Sequence, residues 1–209
     1  MANKPVWYAP KVNPASKGTS SLAKRTLRPY AHSHTYVVPA IAYGGPKVNP
    51  EEPSPESVKL AESLILLEFI ADLYPNSGLL SPNPVERAQT RFVIDVLSNK
   101  FLPAFYSLVM KGESPEALYD GILTLQELLA HAKPFLGGDK LNIADIAIAP
   151  FVARLDSQLR NDVGGYAEGE GPKVHNEIFK HERFGPFQKY AKTLLERNTV
   201  KESFPEVSE

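Results

Sequence analysis

The sequence predicts a mixed, mostly α fold, with a small α/β unit followed by a larger all-helical unit. Two short apolar runs, 38–43 and 58–61, have the length and composition of strands. Further along the chain, apolar side chains recur every three or four positions over long stretches, which is typical of amphipathic helices. The segment 77–84 carries two prolines between the two parts. We therefore place a domain boundary there and predict domains at 1–80 and 84–204.

The bulk composition is that of an ordinary soluble globular chain. Its 209 residues are 43% hydrophobic and 22% charged, with a net charge of −1, so charge gives no reason to expect nucleic acid or an anionic membrane as a partner. The first residues lack the apolar core of a signal peptide, and no run of about 18 apolar residues occurs, so we expect a cytoplasmic protein. Cysteine is absent, which excludes disulfides, zinc–thiolate sites and a thiol nucleophile of the chain's own.

The first unit is organised around a short strand and the helix that follows its return strand. Val38-Pro39 begins the predicted strand, where proline is tolerated because the first residue need not donate a ladder hydrogen bond. Glu62-Ser63 then opens an apolar helix over 64–74. The free N–H groups at such a helix start can hold a carboxylate. Taken alone, the Glu-Ser pair also fits a simple helix cap.

These motifs resemble those of the cytosolic glutathione transferases, and more closely their omega-like, fungal-specific class. The matching residues are Val-Pro-Ala-Ile from residue 38, Glu-Ser at residue 62, and Glu-Phe-Ile-Ala-Asp-Leu-Tyr-Pro over 68–75. The likeness extends over roughly 3–17 and 38–204. It implies a thioredoxin-like N-terminal domain and the family's all-helical C-terminal domain.

The resemblance also implies a glutathione site at the start of the strand. In the family, the valine before a cis-proline exchanges backbone hydrogen bonds with the cysteinyl part of glutathione, and the Glu-Ser pair holds its γ-glutamyl end. A lysine of the preceding segment meets the glycyl carboxylate, for which Lys11 is the better match and Lys17 the alternative. The implied glutathione-binding residues are Lys11, Val38, Pro39, Glu62 and Ser63.

The family's catalytic Ser, Cys or Tyr lies in a first strand, helix and second strand that the resemblance places ahead of Lys11. It thus implies an incomplete thioredoxin-like domain, no catalytic residue within this chain, and impaired catalysis. It also implies that the strand from Val38 has an unpaired apolar edge, where the first strand would pair. Residues 3–17 carry three prolines and are expected to form a short helical turn and an irregular approach. Tyr8 matches this later segment, so we do not expect it to replace the catalytic residue.

Residues 18–37 are predicted to be an atypical insertion. They show neither helical nor strand periodicity and carry basic residues without an acid. Joining Lys17 directly to Val38 restores the family's pattern, so we interpret the segment as an insertion that retained unspliced sequence would explain. His32 and His34 within it lack a third ligand at suitable spacing and are expected to be solvated.

The run 44–56 is dense in glycine and proline, which predicts a long loop between the two strands. A loop of this length beside the implied glutathione site is either a lid or disordered.

The second unit is predicted to contain several packed helices. The first covers 85–111 with a kink at Pro103, and the next starts at Ser114 and Pro115. Asn142 and Asp145 have the spacing of a reciprocal capping box at the start of a central helix, so we assign Asp145 to folding and not to catalysis. Later helices are predicted at 174–179 and 184–197.

Four aromatic residues on the first of these helices allow two interpretations. Core packing explains most such stripes, and a pocket for hydrophobic ligands is the alternative. The four residues are Phe92, Phe101, Phe105 and Tyr106. Two histidines further on, His175 and His181, share no helical face and do not predict a metal site.

Together these features predict a glutathione transferase homologue that retains part of the glutathione site and has weak or no catalysis. Its expected ligands are glutathione, as co-substrate, and small hydrophobic or aromatic molecules, with no metal. The family's habit of dimerising allows a homodimer. The alternatives are a non-catalytic ligand-binding (ligandin-like) or scaffold protein, and an inactive mis-spliced product.

Overall fold

The computed structural model describes residues 6–8, 39–46, 48, 54–129 and 133–204. These residues form two compact units, one extending to Leu73 and the other beginning at Tyr74. The first is a small sheet with one helix, and the second is built from helices. The predicted mixed, mostly α fold class is confirmed.

Among its described residues, the first unit contains three strands and one helix. The strands pair antiparallel in the order β1-β2-β3. Their bounds are β1 (Val6–Tyr8), β2 (Ala40–Tyr43) and β3 (Val58–Ala61), and helix α1 spans Ser63–Leu73. Ile41 of β2 and Leu66 of α1 are buried, and the ring of Phe69 meets Tyr43 edge-on with the ring centroids 5.0 Å apart. The sheet and α1 therefore share one small apolar core.

Strand β1 corrects the expectation that residues 3–17 would be irregular. Val6 pairs with Ala42 and Tyr8 with Ala40, so β2 has partners on both edges. The predicted unpaired apolar edge is therefore wrong. The reason is local composition, because Val-Trp-Tyr is β-branched and aromatic and suits an extended strand. The pairing also satisfies the backbone N–H and C=O groups that an open edge would leave free.

In the second unit, α5 lies at the centre and packs against α2, α6 and α7. Its residues Ile148, Val152, Leu155 and Leu159 are fully buried. The helices are α2 (Pro84–Val96), α3 (Leu102–Lys111), α4 (Glu116–Leu129), α5 (Ile143–Arg160), α6 (Glu170–Lys180), α7 (Gly185–Leu195) and α8 (Asn198–Ser203).

Where the sequence predicts a kink at Pro103, the helix contains a π turn, Leu97–Phe101, between α2 and α3. Proline has no N–H for the carbonyl of Asn99, and its ring clashes with that carbonyl in a regular α-helix. The turn widens the helix so that the Leu102 N–H donates to the carbonyl of Leu97, five residues earlier. The helical path therefore continues from α2 through the π turn into α3 without breaking.

By length and composition, the helical path Pro84–Lys111 is the one described helix that could cross a membrane. This is weak evidence for a span, because the core helix of a soluble protein has the same length and composition. Val93, Leu97 and Phe101 of this path are buried within the unit.

The end of α3 meets the loop after α5 backbone to backbone. Gly112 ends α3 in the left-handed conformation with φ of 67°, and its N–H donates to the carbonyl of Leu108. A Cβ at Gly112 would lie 2.3 Å from the carbonyl oxygen of Gly165. The Gly165 N–H in turn donates to the carbonyl of Val109 at 2.6 Å. Glycine is required at Gly112 by both its conformation and its surroundings.

Candidate functional site

Three of the implied glutathione residues meet at one end of the sheet. Ala40, at the start of β2, pairs with Ala61, at the end of β3. Pro39 immediately precedes Ala40 and Glu62 immediately follows Ala61, so the antiparallel register brings Pro39 and Glu62 side by side. Pro39, Glu62 and Ser63 are all exposed. This end of the sheet is therefore accessible to a ligand.

Glu62 adopts an unusual backbone conformation where β3 turns into α1. Its φ is 74°, in the left-handed region that residues other than glycine rarely occupy. Its carbonyl accepts the Leu66 N–H at 2.9 Å, which closes the first turn of the helix. The N–H groups of the first turn, ahead of Leu66, have no partner within the helix. The same turn carries no acidic side chain. This helix start can therefore bind a carboxylate through its N–H groups.

The flanks of the loop 44–56 are held together by hydrogen bonds. The Ser57 hydroxyl donates to the carbonyl of Gly44 at 2.9 Å. Lys59 Nζ donates to the carbonyls of Ser54 and Ser57. The hydrogen bond between Ser57 and Gly44 therefore joins the two ends of the loop. Its residues 47 and 49–53 lie outside the described residues, so the choice between a lid and disorder stays a prediction.

Several predicted residues fall outside the part of the chain that the structure describes. They are Lys11, its alternative Lys17, Val38, and the insertion 18–37 with His32 and His34. Their roles stay predictions. Of the five implied glutathione residues, Pro39, Glu62 and Ser63 are the ones that the described residues bring together.

The reciprocal capping box predicted at Asn142 and Asp145 is present at the start of α5. Asn142 Oδ1 accepts the N–H groups of Ala144 and Asp145 at 2.9 and 3.1 Å. Asp145 Oδ2 accepts the Asn142 N–H at 2.9 Å, and Asp145 is 0% exposed. The predicted capping box is confirmed.

The Asp145 carboxylate has three further donors that the sequence pattern did not reveal. Its Oδ1 accepts the Leu136 N–H at 2.9 Å and the Tyr190 hydroxyl at 2.7 Å, and its Oδ2 accepts the Gly137 N–H at 3.3 Å. Burial, the nearby charge of Asp145 and this hydrogen bond raise the pKa of Tyr190 well above its usual value. Because Tyr190 lies 45 residues further along the chain, no local signal could identify it.

The four aromatic residues on α2, the π turn and α3 divide between the two interpretations. Phe101 and Phe105 are 0% and 2% exposed and their rings stack with centroids 6.2 Å apart. Phe92 and Tyr106 are 58% and 47% exposed, and Met110, one turn after Tyr106, is 70% exposed. Core packing explains the first pair, and the second pair is available to a ligand.

His175 makes a structural contact. Its Nε2 lies 2.9 Å from Asp156 Oδ1, and its ring stacks on Phe179 with the centroids 4.6 Å apart. Within the described residues, no group of three or more His, Asp or Glu side chains could hold a metal ion.

Comparison with known proteins identifies the family. No family model matches the chain. A probable glutathione S-transferase of Nicotiana tabacum is 29% identical over 149 residues, which are 70% of this chain and 61% of that protein. The solved structure of glutathione transferase Omega 1C from Trametes versicolor is 51% identical, with a TM-score of 0.76, and the match covers 81% of this chain and 70% of that chain. The chain belongs to the glutathione transferase family.

Within the family, this transferase homologue is omega-like. Omega 2S from Trametes versicolor, solved in complex with 2,4-dihydroxybenzophenone, is 38% identical with a TM-score of 0.73, and the match covers 80% of this chain and 71% of that chain. These likenesses confirm the thioredoxin-like and all-helical parts of the fold that the motifs implied. The chain spans 61% of the length of the tobacco relative.

Proposed function

We propose that the transferase homologue binds glutathione at the end of its sheet through Lys11, Val38, Pro39, Glu62 and Ser63. The observation that carries the proposal is the register of β2 and β3, which sets Pro39 beside Glu62 at the start of α1.

Each part of glutathione then has a group of matching chemistry. The free N–H groups at the start of α1 and the Ser63 hydroxyl donate hydrogen bonds to the γ-glutamyl carboxylate, and the Glu62 carboxylate pairs with the γ-glutamyl ammonium group. The backbone of Val38, held by the proline that follows, exchanges hydrogen bonds with the cysteinyl residue. Lys11 supplies the positive charge for the glycyl carboxylate.

We also propose that this polypeptide binds glutathione more readily than it conjugates it. Transferases of this type either conjugate glutathione, with a hydroxyl that lowers its thiol pKa, or transfer thiols, with an enzyme cysteine that exchanges with a glutathione mixed disulfide. The 209 residues contain no cysteine, so the second route is closed to them. Of Pro39, Glu62 and Ser63, Ser63 is the one with a hydroxyl. Because it lies at the start of α1, this hydroxyl binds the γ-glutamyl carboxylate and does not activate the thiol.

Thermal unfolding in the presence of glutathione tests the binding. Millimolar glutathione should raise the Tm, because a ligand that binds the folded state stabilises it by mass action. Ser63→Ala should reduce this shift, whereas Ser114→Ala, at an exposed serine of the second unit, should leave it unchanged. An unchanged Tm in the wild-type chain would reject the site, and conjugation at the rates of other family members would reject the proposal that catalysis is impaired.

A second candidate function is the binding of aromatic ligands without glutathione. The exposure of Phe92, Tyr106 and Met110 favours it. Because the related Omega 2S was solved with 2,4-dihydroxybenzophenone, small aromatic molecules are the class to test. Tyr106→Ala should weaken the binding of such a molecule and leave the glutathione-dependent Tm shift intact.

Glutathione as co-substrate places the proposed activity in the cytoplasm, where thiols are kept reduced. A homodimer is the assembly that the family resemblance favours.

A further inference from the structure

The second unit carries a long groove, apart from the residues of the proposed glutathione site. The groove has a volume of about 710 Å³ and lies between the end of α6, one face of α7, and α8. We call it the α7 groove and define it by six of its lining side chains: Phe179, Lys189, Lys192, Leu195, Glu196 and Lys201.

The α7 groove is elongated. Its lining residues on α7 begin at Gly185 and end at Glu196, the residue that caps the helix, and a helical stretch of this length rises by about 16 Å. Lys201 continues the lining onto α8. An extended peptide advances by about 3.3 Å per residue, so about five residues of extended chain follow the groove along α7.

The positive charge of the groove is distributed along this length. Lys189 and Lys192 come from α7 and Lys201 from α8. The one acidic lining residue, Glu196, lies 3.8 Å from Lys192 in an exposed ion pair. Among the described residues, Lys189 and Lys201 form no ion pair. A segment with several spaced carboxylates pairs with these lysines in turn, and each pairing after the first is intramolecular and therefore favoured.

The groove also has an apolar surface that is held in place. Phe179 and Leu195 are half-buried, and the Phe179 ring is stacked on His175 with the centroids 4.6 Å apart. The Gln188 side-chain amide donates to the carbonyl of Ile178 at 2.9 Å, which ties α7 to the end of α6. This surface therefore needs little ordering when a partner binds.

We propose that the α7 groove is a docking surface for a short acidic segment of a partner protein. The carboxylates of the segment pair with the three lysines, and apolar side chains between those carboxylates cover Phe179 and Leu195. A flat membrane surface does not match a concave groove whose apolar side chains are half-buried. A nucleic acid would leave those side chains in water and would meet the carboxylate of Glu196.

Isothermal titration calorimetry of the full chain with synthetic peptides tests the proposal. The probe is acetyl-Glu-Leu-Glu-Glu-Leu-Glu-amide, and two matched peptides replace either every glutamate by glutamine or every leucine by serine. We expect saturable binding of the probe that weakens as sodium chloride rises from about 0.05 to about 0.5 M. Both matched peptides should bind about tenfold more weakly. No binding of the probe, or equal binding of the probe and the glutamine peptide, would overturn the proposal.

Two variants locate the peptide on the chain. Lys189→Gln combined with Lys201→Gln should weaken binding of the probe by about tenfold, because two attractive charges are lost. Leu195→Ala should weaken binding of the probe and leave that of the serine peptide unchanged, because the serine peptide has no apolar side chain to place there. Normal binding of the probe by both variants would show that the peptide binds elsewhere.

A matched control separates the α7 groove from general charge. Lys111→Gln combined with Lys173→Gln also removes two lysines of the second unit, and these lie beside Glu113 and Glu170. This double variant should bind the probe like the wild-type chain, and thermal unfolding should show that every variant is folded. An equal loss of binding in both double variants would mean that net charge, and not the groove, attracts the peptide.

Two further measurements test the other possible occupants. Self-association in analytical ultracentrifugation that Lys189→Gln with Lys201→Gln removes would make a second copy of the chain the occupant. Co-sedimentation with phosphatidylserine vesicles that the same variant removes would assign the face to a membrane. Either result would overturn the proposal, and neither bears on the glutathione-dependent Tm shift, which depends on Glu62 and Ser63 of the first unit.

Discussion

At the scale of single residues, Asp145 joins three parts of the second unit. Its carboxylate accepts N–H groups from the turn at Leu136 and Gly137, the N–H of Asn142 at the start of α5, and the hydroxyl of Tyr190 on α7. Hydrogen bonds to a charged acceptor are stronger than neutral ones, and each donor would be costly to leave unsatisfied in the interior. The side chain that caps α5 therefore also connects α5 to the preceding turn and to α7.

Tyr190→Phe should separate the contribution of this junction. At neutral pH the loss of one hydrogen bond to a buried carboxylate should lower the free energy of unfolding by about 1–2 kcal/mol, measured by urea denaturation. Above pH 10, the ordinary pKa of the Tyr190 phenol, only the unfolded state releases the proton, because the folded-state pKa is raised. The wild-type chain should therefore lose up to about 1.4 kcal/mol per pH unit more than Tyr190→Phe.

Tyr74→Phe, at a tyrosine that is 49% exposed, is the control for this measurement. It should leave the stability at neutral pH near that of the wild-type chain. Equal alkaline slopes for the wild-type chain and Tyr190→Phe would show that the phenol titrates alike in the folded and unfolded states.

At the scale of elements, helix ends are set by backbone conformation and by the space beside them. Both Gly112, after α3, and Gly78, after the turn Pro75–Ser77, have positive φ. A Cβ at Gly78 meets nothing within 4 Å, whereas a Cβ at Gly112 meets the backbone of Gly165. The two glycines therefore separate conformational strain from steric exclusion.

Gly112→Ala should destabilise the protein by about 2–4 kcal/mol, because the left-handed conformation is unfavourable for alanine and the backbone of Gly165 must move. Gly78→Ala should lower the stability by only about 1 kcal/mol, from the conformation alone. Denaturant unfolding of both variants measures the difference. Equal losses would mean that the loop after α5 yields without strain.

Local signals in the sequence predicted the elements that depend on local chemistry. Pro103 predicted the interruption that became a π turn, Asn142 and Asp145 predicted the start of α5, and Glu62-Ser63 predicted the start of α1. Strand β1 was missed because three prolines dominate its surroundings and its partner, Ala40–Tyr43, is distant in the chain. Its signal was the tripeptide Val-Trp-Tyr, which favours a strand only when an edge is available to pair with it.

The candidate site was predictable to the same degree. The position of Pro39 beside Glu62 follows once β2 and β3 are recognised as antiparallel neighbours, because Ala40 pairs with Ala61. The left-handed backbone of Glu62 does not, because a glutamate gives no signal for it.

At the scale of the whole molecule, the two units differ in how much apolar surface they bury. Among the described residues of the first unit, a few side chains are buried, among them Ile41 and Leu66. The second has a core drawn from α2 to α7, in which Leu118, Ile148 and Leu155 are 0% exposed. Since burial of apolar surface is the main stabilising term in folding, we expect the second unit to be independently stable.

A polypeptide of residues 74–209 should therefore fold alone, with a helical circular dichroism spectrum and a cooperative thermal transition. Leu155→Ala in this polypeptide should lower its stability by about 2–5 kcal/mol, because the deletion leaves a cavity in the core. Glutathione should not raise its Tm, since Glu62 and Ser63 are absent from it. A gradual transition without cooperativity would indicate that the second unit depends on the first.

Position 62 has two separate requirements. The fold requires a residue that tolerates a left-handed backbone, and the proposed glutathione site requires a carboxylate. A randomised library at this position, screened for soluble expression, should retain glycine, asparagine and aspartate. It should discard valine and isoleucine, because branching at Cβ strongly disfavours a backbone φ of 74°. A second screen on immobilised glutathione should then remove glycine, which satisfies the backbone but offers no carboxylate. The two screens would recover different sets of amino acids, so tolerance for expression and tolerance for ligand capture can be mapped separately at a single site.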